Sequence, residues 1–189
     1  MRKMITVKIN GEERQYPQGA TYEDVTNDYQ QEYENLIALA ARDGKIRELF
    51  KKLTRDCEVT FFTLKDDVGN KTYVRSATML FLKAVFDVYG REAAQSCRVE
   101  FAIGNGSYIS PKGKINATEE NAAKIRNRML ELVEAKTPFL KRSYSLDNAM
   151  ELFRKEGMKD KEKLFRYRRG SFVNIYEMDG YYDYYYGYM

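Results

Sequence analysis

The chain of 189 residues contains no histidine. That absence removes Ser-His-Asp and Cys-His catalysis, histidine-ligated zinc, and the commonest general base near neutral pH. Any chemistry would fall to carboxylates, Lys, Tyr, Cys or a bound metal. The carboxylates gather as Asp66-Asp67 and as Glu177, Asp179 and Asp183. Two or three such oxygens can hold magnesium, although turn and linker positions use the same residues. The glycines of "GNGSYISPKGK" do not form a phosphate loop. Gly106 and Gly113 are separated by six residues instead of four, and Lys114 is followed by Ile115 where Ser or Thr is required. A β-turn accounts for them. Cys57 and Cys97 stand far apart, fit neither a zinc ribbon nor a disulfide framework, and read as ordinary thiols of a cytoplasmic protein.

A second kind of chemistry is recognition. The stretch "KDKEKLFRYRRG" (159–170) interleaves Lys161, Lys163, Arg166, Arg168 and Arg169 with Phe165 and Tyr167. Cations beside planar rings supply phosphate contacts and base stacking. The competing reading puts Leu164 and Phe165 in a core with a solvated charged rim. The charge is uneven in the same direction. Residues 1–65 hold 11 basic and 11 acidic residues, whereas residues 136–169 hold 11 and 5, a local surplus of 11 − 5 = +6. Such a surplus attracts phosphate-bearing partners, or forms a solvated helix face with mixed signs. The tail adds Tyr176, Tyr181, Tyr182, Tyr184, Tyr185, Tyr186 and Tyr188. Exposed, these rings stack on bases; buried, they fill a core with hydroxyls at its edge.

These residues need elements to position them. "MITVKI" alternates Ile5, Val7 and Ile9 as a strand, Asn10-Gly11 turns it, and "ERQYP" returns. Thr21 with Asp24 is close to a capping box, and a helix is expected from about Tyr22 to Ala41, stopped near Gly44. "CEVTFFTL" (57–64) closes a small sheet. The polar "KDDVGNK" (65–71) reads as a break between domains. Beyond it, a helix over "SATMLFLKAVFDVYG" carries Met79, Leu82, Phe86 and Tyr89 on one stripe. "CRVEFAIGNGSYIS" is a hairpin turned by "GNGS". Thr118 caps a helix with Ala122, Ile125, Met129, Leu132 and Val133 inward, broken at Pro138. Ser145 starts another helix with Leu146, Ala149, Met150 and Phe153 inward, and "SFVNIY" is a strand. The fold class is α+β. No apolar run approaches the about 20 residues of a membrane helix, and "MRKMITVKIN" has no signal-peptide core.

The stretches "MITVKINGEERQYPQGATYEDV" and "GKIRELFKKLTRDCEVTFFT" resemble a TGS domain, the small ubiquitin-like β-grasp fold at the front of threonyl-tRNA synthetases and some GTPases. Residues 1–66 are assigned to it. Residues 67–189 resemble the editing-like second additional domain that follows in those synthetases. In that family a helix opens His-Ser-x-x-His and a later strand carries Cys-x-x-x-His. In this chain Arg75 and Met79 stand at the histidine positions of "RSATM", and Tyr176 and Gly180 at the polar positions of "GSFVNIYEMDG". None of the four can ligate zinc or activate a water, so the resemblance carries no editing activity over, and no catalytic residue or metal ligand is expected.

The chain as a whole is similar to the N-terminal portion of bacterial uridine kinase-type nucleoside kinases, carried by "KTYVRSATMLFLKAVFDVYG" and "YRRGSFVNIYEMDGYYDYYYGYM". That resemblance implies a non-catalytic accessory region for a C-terminal kinase domain that phosphorylates uridine or cytidine. It implies no cofactor in this stretch, with ATP and magnesium expected only for the kinase domain. The expected ligand is a nucleotide or RNA in the degenerate cleft. Arg75 offers a phosphate fork, Met79, Tyr176 and Gly180 the former editing positions, and Lys163, Arg166, Arg168 and Arg169 a basic rim. The alternatives are an RNA- or tRNA-binding module related to threonyl-tRNA synthetase N-terminal domains, and a docking platform, including a homo-oligomer. No membrane partner is expected.

Overall fold

The computed structural model describes residues 3–104 and 106–189. The "GNGS" turn expected at 104–107 includes Asn105, which lies outside the described residues. The chain divides into two compact units, one running to Ser76 and including Gly187–Met189, the other Ala77–Tyr186.

In the first unit, β1 (Met4–Ile9) and β2 (Glu12–Pro17) form the expected hairpin, with Asn10 at φ 50° and Gly11 at φ 90° supplying the left-handed turn. Thr21 caps α1 (Tyr22–Tyr29) through a full capping box: Asp24 N donates to Thr21 Oγ1 at 3.1 Å, and Thr21 N donates to Asp24 Oδ2 at 2.7 Å. The helix expected through Ala41 stops at Tyr29. After one 3₁₀ turn, "IALAAR" is strand β3 (Ile37–Arg42). A strand covered on both faces reads as a continuous apolar run, which periodicity cannot separate from a buried helix. Gln30 fixes the switch, its side chain donating to Asn35 O at 3.2 Å and accepting from Ile37 N at 2.9 Å. Strands β4 (Lys45–Arg47) and β5 (Cys57–Thr63) complete a sheet of order β2-β1-β5-β3-β4, with β1 and β5 parallel. Ile5, Val7 and Ile9 pack with Tyr22, Val25 and Tyr29 beneath it. Each such aliphatic side chain contributes about 1.5–3 kcal/mol by leaving water.

Helix α2 spans Asp67–Tyr89, so the polar "KDDVGNK" (65–71) holds a turn at Lys65-Asp66 and then the first turn of this helix. Its polar residues are helix surface: Lys71 pairs with Asp67 at 2.6 Å, four residues away. Gly69 makes the helix start possible, because a Cβ there would lie 2.0 Å from the Thr63 carbonyl oxygen.

The second unit adds α3 (Arg91–Ser96), the hairpin β6 (Arg98–Ile103) and β7 (Gly106–Ser110), and α4 (Glu119–Glu134) capped by Thr118. It continues with β8 (Leu140–Ser145), α5 (Leu146–Lys155), α6 (Lys159–Arg166), β9 (Phe172–Met178) and β10 (Tyr181–Asp183). Strands β10-β9-β8 form one antiparallel sheet and β6-β7 a separate pair. On α4, Ile125 and Leu132 are buried, whereas Val133 and Ala122, expected inward, are exposed. The buried seam is one narrow seven-residue step. Strand β8 falls where only a helix break was expected. Its polar sequence has no apolar period, and pairing with β9 along six residues makes it a strand. Among the described residues, no helix is long and apolar enough to cross a membrane.

Candidate nucleic-acid interface

Helix α6 is amphipathic and divides the basic–aromatic stretch into two sets. Phe165 is fully buried, stacked on Phe153 with ring centres 5.2 Å apart and met edge-on by Tyr184 at 4.9 Å. Lys161 pairs with the buried Asp183. Arg166 and Arg154 share Glu162 at 3.0 and 3.1 Å, and those two hydrogen bonds hold the Glu162 carboxyl below its usual range. Arg168 donates to the Tyr184 hydroxyl at 2.6 Å and lies over the Phe165 and Tyr184 rings. These contacts seat the segment. The rest faces water: Lys163 and Arg169 are exposed, Tyr167 is 88% exposed, and Phe172, at the start of β9, is 67% exposed. Ten consecutive residues, 163–172, therefore expose two rings, Tyr167 and Phe172, and the cations Lys163, Arg166, Arg168 and Arg169. Of the two residues that the competing reading places in a core, Phe165 is buried and Leu164 is 58% exposed, and Tyr167 faces water.

The four positions that the resemblance sets against the editing residues are arranged differently. Met79 and Tyr176 are both at 0% exposure. The Tyr176 ring is covered by the Lys141 ammonium at 5.2 Å and meets Tyr185 edge-on at 6.4 Å. Gly180, at φ 77°, and Asp179, at φ 44°, form the tight turn between β9 and β10. In the first unit, Arg75 donates to Tyr188 O at 3.2 Å, and a Cβ on Gly187 would meet its guanidinium at 2.7 Å. Its fork is thus set against the main chain of 187–188.

A residue that the sequence reading passed over organises the β9–β10 turn. Lys83 is 2% exposed, one helical turn beyond Met79. Its ammonium donates to Asp87 Oδ1 at 2.7 Å and to Asp179 O at 2.7 Å, and pairs with Asp179 Oδ2 at 3.2 Å. Arg128 of α4 takes the other Asp87 oxygen at 2.9 Å. The signal was a lysine inside the apolar run "MLFLKAVF". The carboxylates weighed as magnesium ligands are engaged too: Asp66 accepts from Thr63 N at 2.7 Å, Glu177 pairs with Arg142 at 3.1 Å, and Asp183 with Lys161. Beside Gly180 lies a cleft of about 610 Å³ lined by Glu131, Glu177 and Asp179 against Arg128. Each of these carboxylates is paired, Glu131 with Arg128, Glu177 with Arg142 and Asp179 with Lys83, so the cleft offers no surplus of positive charge to a phosphate. The cationic surface with free rings is at 163–172.

No protein-family model matches the chain. Its curated relatives are threonine–tRNA ligases. That of Thermotoga neapolitana is 27% identical over 187 residues, 92% of this chain and 28% of the relative. That of Carboxydothermus hydrogenoformans is 25% identical over 183 residues, 91% of this chain and 28% of the relative. That of Syntrophotalea carbinolica is 31% identical over 153 residues, 73% of this chain and 23% of the relative. The chain thus spans little more than a quarter of the length of the relatives it matches. These relatives give the nucleoside kinase context no support. The chain is homologous to threonyl-tRNA synthetase N-terminal regions, and its α+β fold is a TGS-type β-grasp followed by an editing-like module.

Proposed function

We propose that the chain is a non-catalytic RNA-binding module that takes tRNA-like RNA on the surface of residues 163–172. The observation that carries the reading is the pair of exposed rings, Tyr167 at 88% and Phe172 at 67%, within the same ten residues as the exposed Lys163, Arg166, Arg168 and Arg169. The cations contact phosphates and fix the position of the RNA, while the rings offer faces to unpaired bases. The relation to threonine–tRNA ligases supports tRNA as the RNA to try first. The residues at the four editing positions support binding without hydrolysis, because an arginine, a thioether, a phenol and a glycine bring no zinc ligand.

The test is tRNA affinity measured by fluorescence anisotropy as salt is raised. Four phosphate contacts predict a fall of about 50- to 150-fold between about 50 and 200 mM salt. Absence of binding at the lowest salt, or an affinity indifferent to salt, overturns the reading.

A further inference from the structure

Among the described residues, the β6–β7 hairpin is a sheet of two strands whose outer edges pair with no other strand. All six residues of β6 are exposed, and Phe101, Ile103 and Tyr108 are 57%, 60% and 49% exposed. An isolated two-stranded hairpin is marginal in water, and further strands or a helix packed on it give independent stability. The two edges differ. Strand β6 is guarded by Arg98, by Glu100 paired with Lys112 at 2.8 Å, and by an irregularity between Val99 and Phe101. Charges and bulges of this kind block pairing with another chain. Strand β7, "GSYIS", carries no charge and no proline.

The two faces differ as well. Ser107 and Ile109 line a cleft of about 560 Å³ together with Ile125 and Met129 of α4. Tyr108, between them, therefore points to the opposite face, where its ring stacks on Phe101 across the strands with centres 5.2 Å apart. The ring face and the edge beside it are both open.

We infer that β7 is a homotypic docking edge, pairing antiparallel with β7 of a second copy of this chain. Centred on Tyr108, that pairing sets Gly106 opposite Ser110 and Ser107 opposite Ile109 of the second copy, with Tyr108 opposite itself. The stack of Phe101 on Tyr108 then continues through the two-fold axis as a row of four rings on a four-stranded sheet. The nearest charge, Lys112, falls opposite Gly104 of the second copy and meets no like charge. An isologous interface requires this self-match. A nucleic acid or a charged peptide finds no complementary charge along β7.

Sedimentation equilibrium of the full chain tests it. The wild-type mass rises with concentration from 22.2 kDa toward twice that value. Tyr108→Lys sets two ammonium groups at the axis and holds the mass at the monomer value, whereas Tyr108→Phe still associates. In a Cys57→Ser, Cys97→Ser background, Tyr108→Cys forms a disulfide-linked dimer on mild oxidation and Glu100→Cys does not. This arm stands even if the lysine variant loses its hairpin. A chain that stays monomeric at every concentration overturns the inference. So does an association that Tyr108→Lys leaves intact, or equal cross-linking through position 100.

Discussion

Replacing Lys83 by Met removes a buried ammonium and keeps most of the side-chain volume. The ammonium has three acceptors: Asp87 Oδ1 at 2.7 Å, Asp179 O at 2.7 Å and Asp179 Oδ2 at 3.2 Å. Loss of the cation removes its hydrogen bond to the Asp179 carbonyl in the exposed turn, and a hydrogen bond made by a charged group contributes about 1.5–3 kcal/mol. Asp87 keeps Arg128 at 2.9 Å, and the Asp179 side chain is 66% exposed and returns to water, so neither carboxylate carries the full penalty of an orphaned buried charge. Lys83→Met is therefore expected to lose about 1.5–3 kcal/mol. Lys83→Ala adds a cavity and should lose about 3–5 kcal/mol. Urea denaturation followed by circular dichroism measures both, and the cycle of Lys83→Met with Asp87→Asn measures the coupling. A Lys83→Met variant as stable as the parent, with no coupling to Asp87, would refute the claim that this ammonium holds the β9–β10 turn.

Removing either free ring by Tyr167→Ala or Phe172→Ala should weaken tRNA binding about 5- to 150-fold, the worth of one stacked base, with the urea midpoint unchanged. Gly69→Ala places a Cβ against the Thr63 carbonyl at 2.0 Å, and a thermal melt should show a destabilised first unit, by about 1–3 kcal/mol. The phenols of Tyr16, Tyr181 and Tyr185 are raised above their ordinary value, first by burial and then by neighbouring carboxylates. A raised acid stabilises the fold below its unfolded pKa and loses that contribution as pH rises through the folded one. Stability should therefore hold up to about pH 10 and fall above it, with these phenolates appearing in the absorbance titration only as the chain unfolds.

Much of the first unit is legible in the residues. Alternation in "MITVKI", the Asn10-Gly11 turn, the Thr21–Asp24 box and the β-branched "CEVTFF" each act through neighbours in sequence, and each forms as read. The failures share a cause. "LIALAA" is a strand because β5 and β4 flank it, "LKRSYS" is a strand because β9 pairs with it, and "KDDVGNK" is helix from Asp67 because Gly69 lets a carbonyl approach. In each, a partner outside the segment decides, whether distant in sequence, as β5 and β9 are, or six residues away, as Thr63 is from Gly69. The candidate surface was half legible. Its cations and rings were visible at 159–170, but which ring faces water depends on Phe153 and Tyr184 claiming Phe165. Phe172, read only as part of a strand, is exposed as the first residue of β9, paired with Ser145. The Lys83 cluster spans α2, α4 and the β9–β10 turn, and no local pattern joins those three.

The most direct measurement compares tRNA affinity of the parent chain with that of Lys163→Glu/Arg169→Glu at one fixed low salt. Both side chains are exposed, so the fold tolerates the exchange. If residues 163–172 hold the RNA, the variant loses at least about tenfold in affinity, and its log–log salt slope becomes shallower by about two. Equal affinity and an equal slope would place the binding elsewhere and contradict the account.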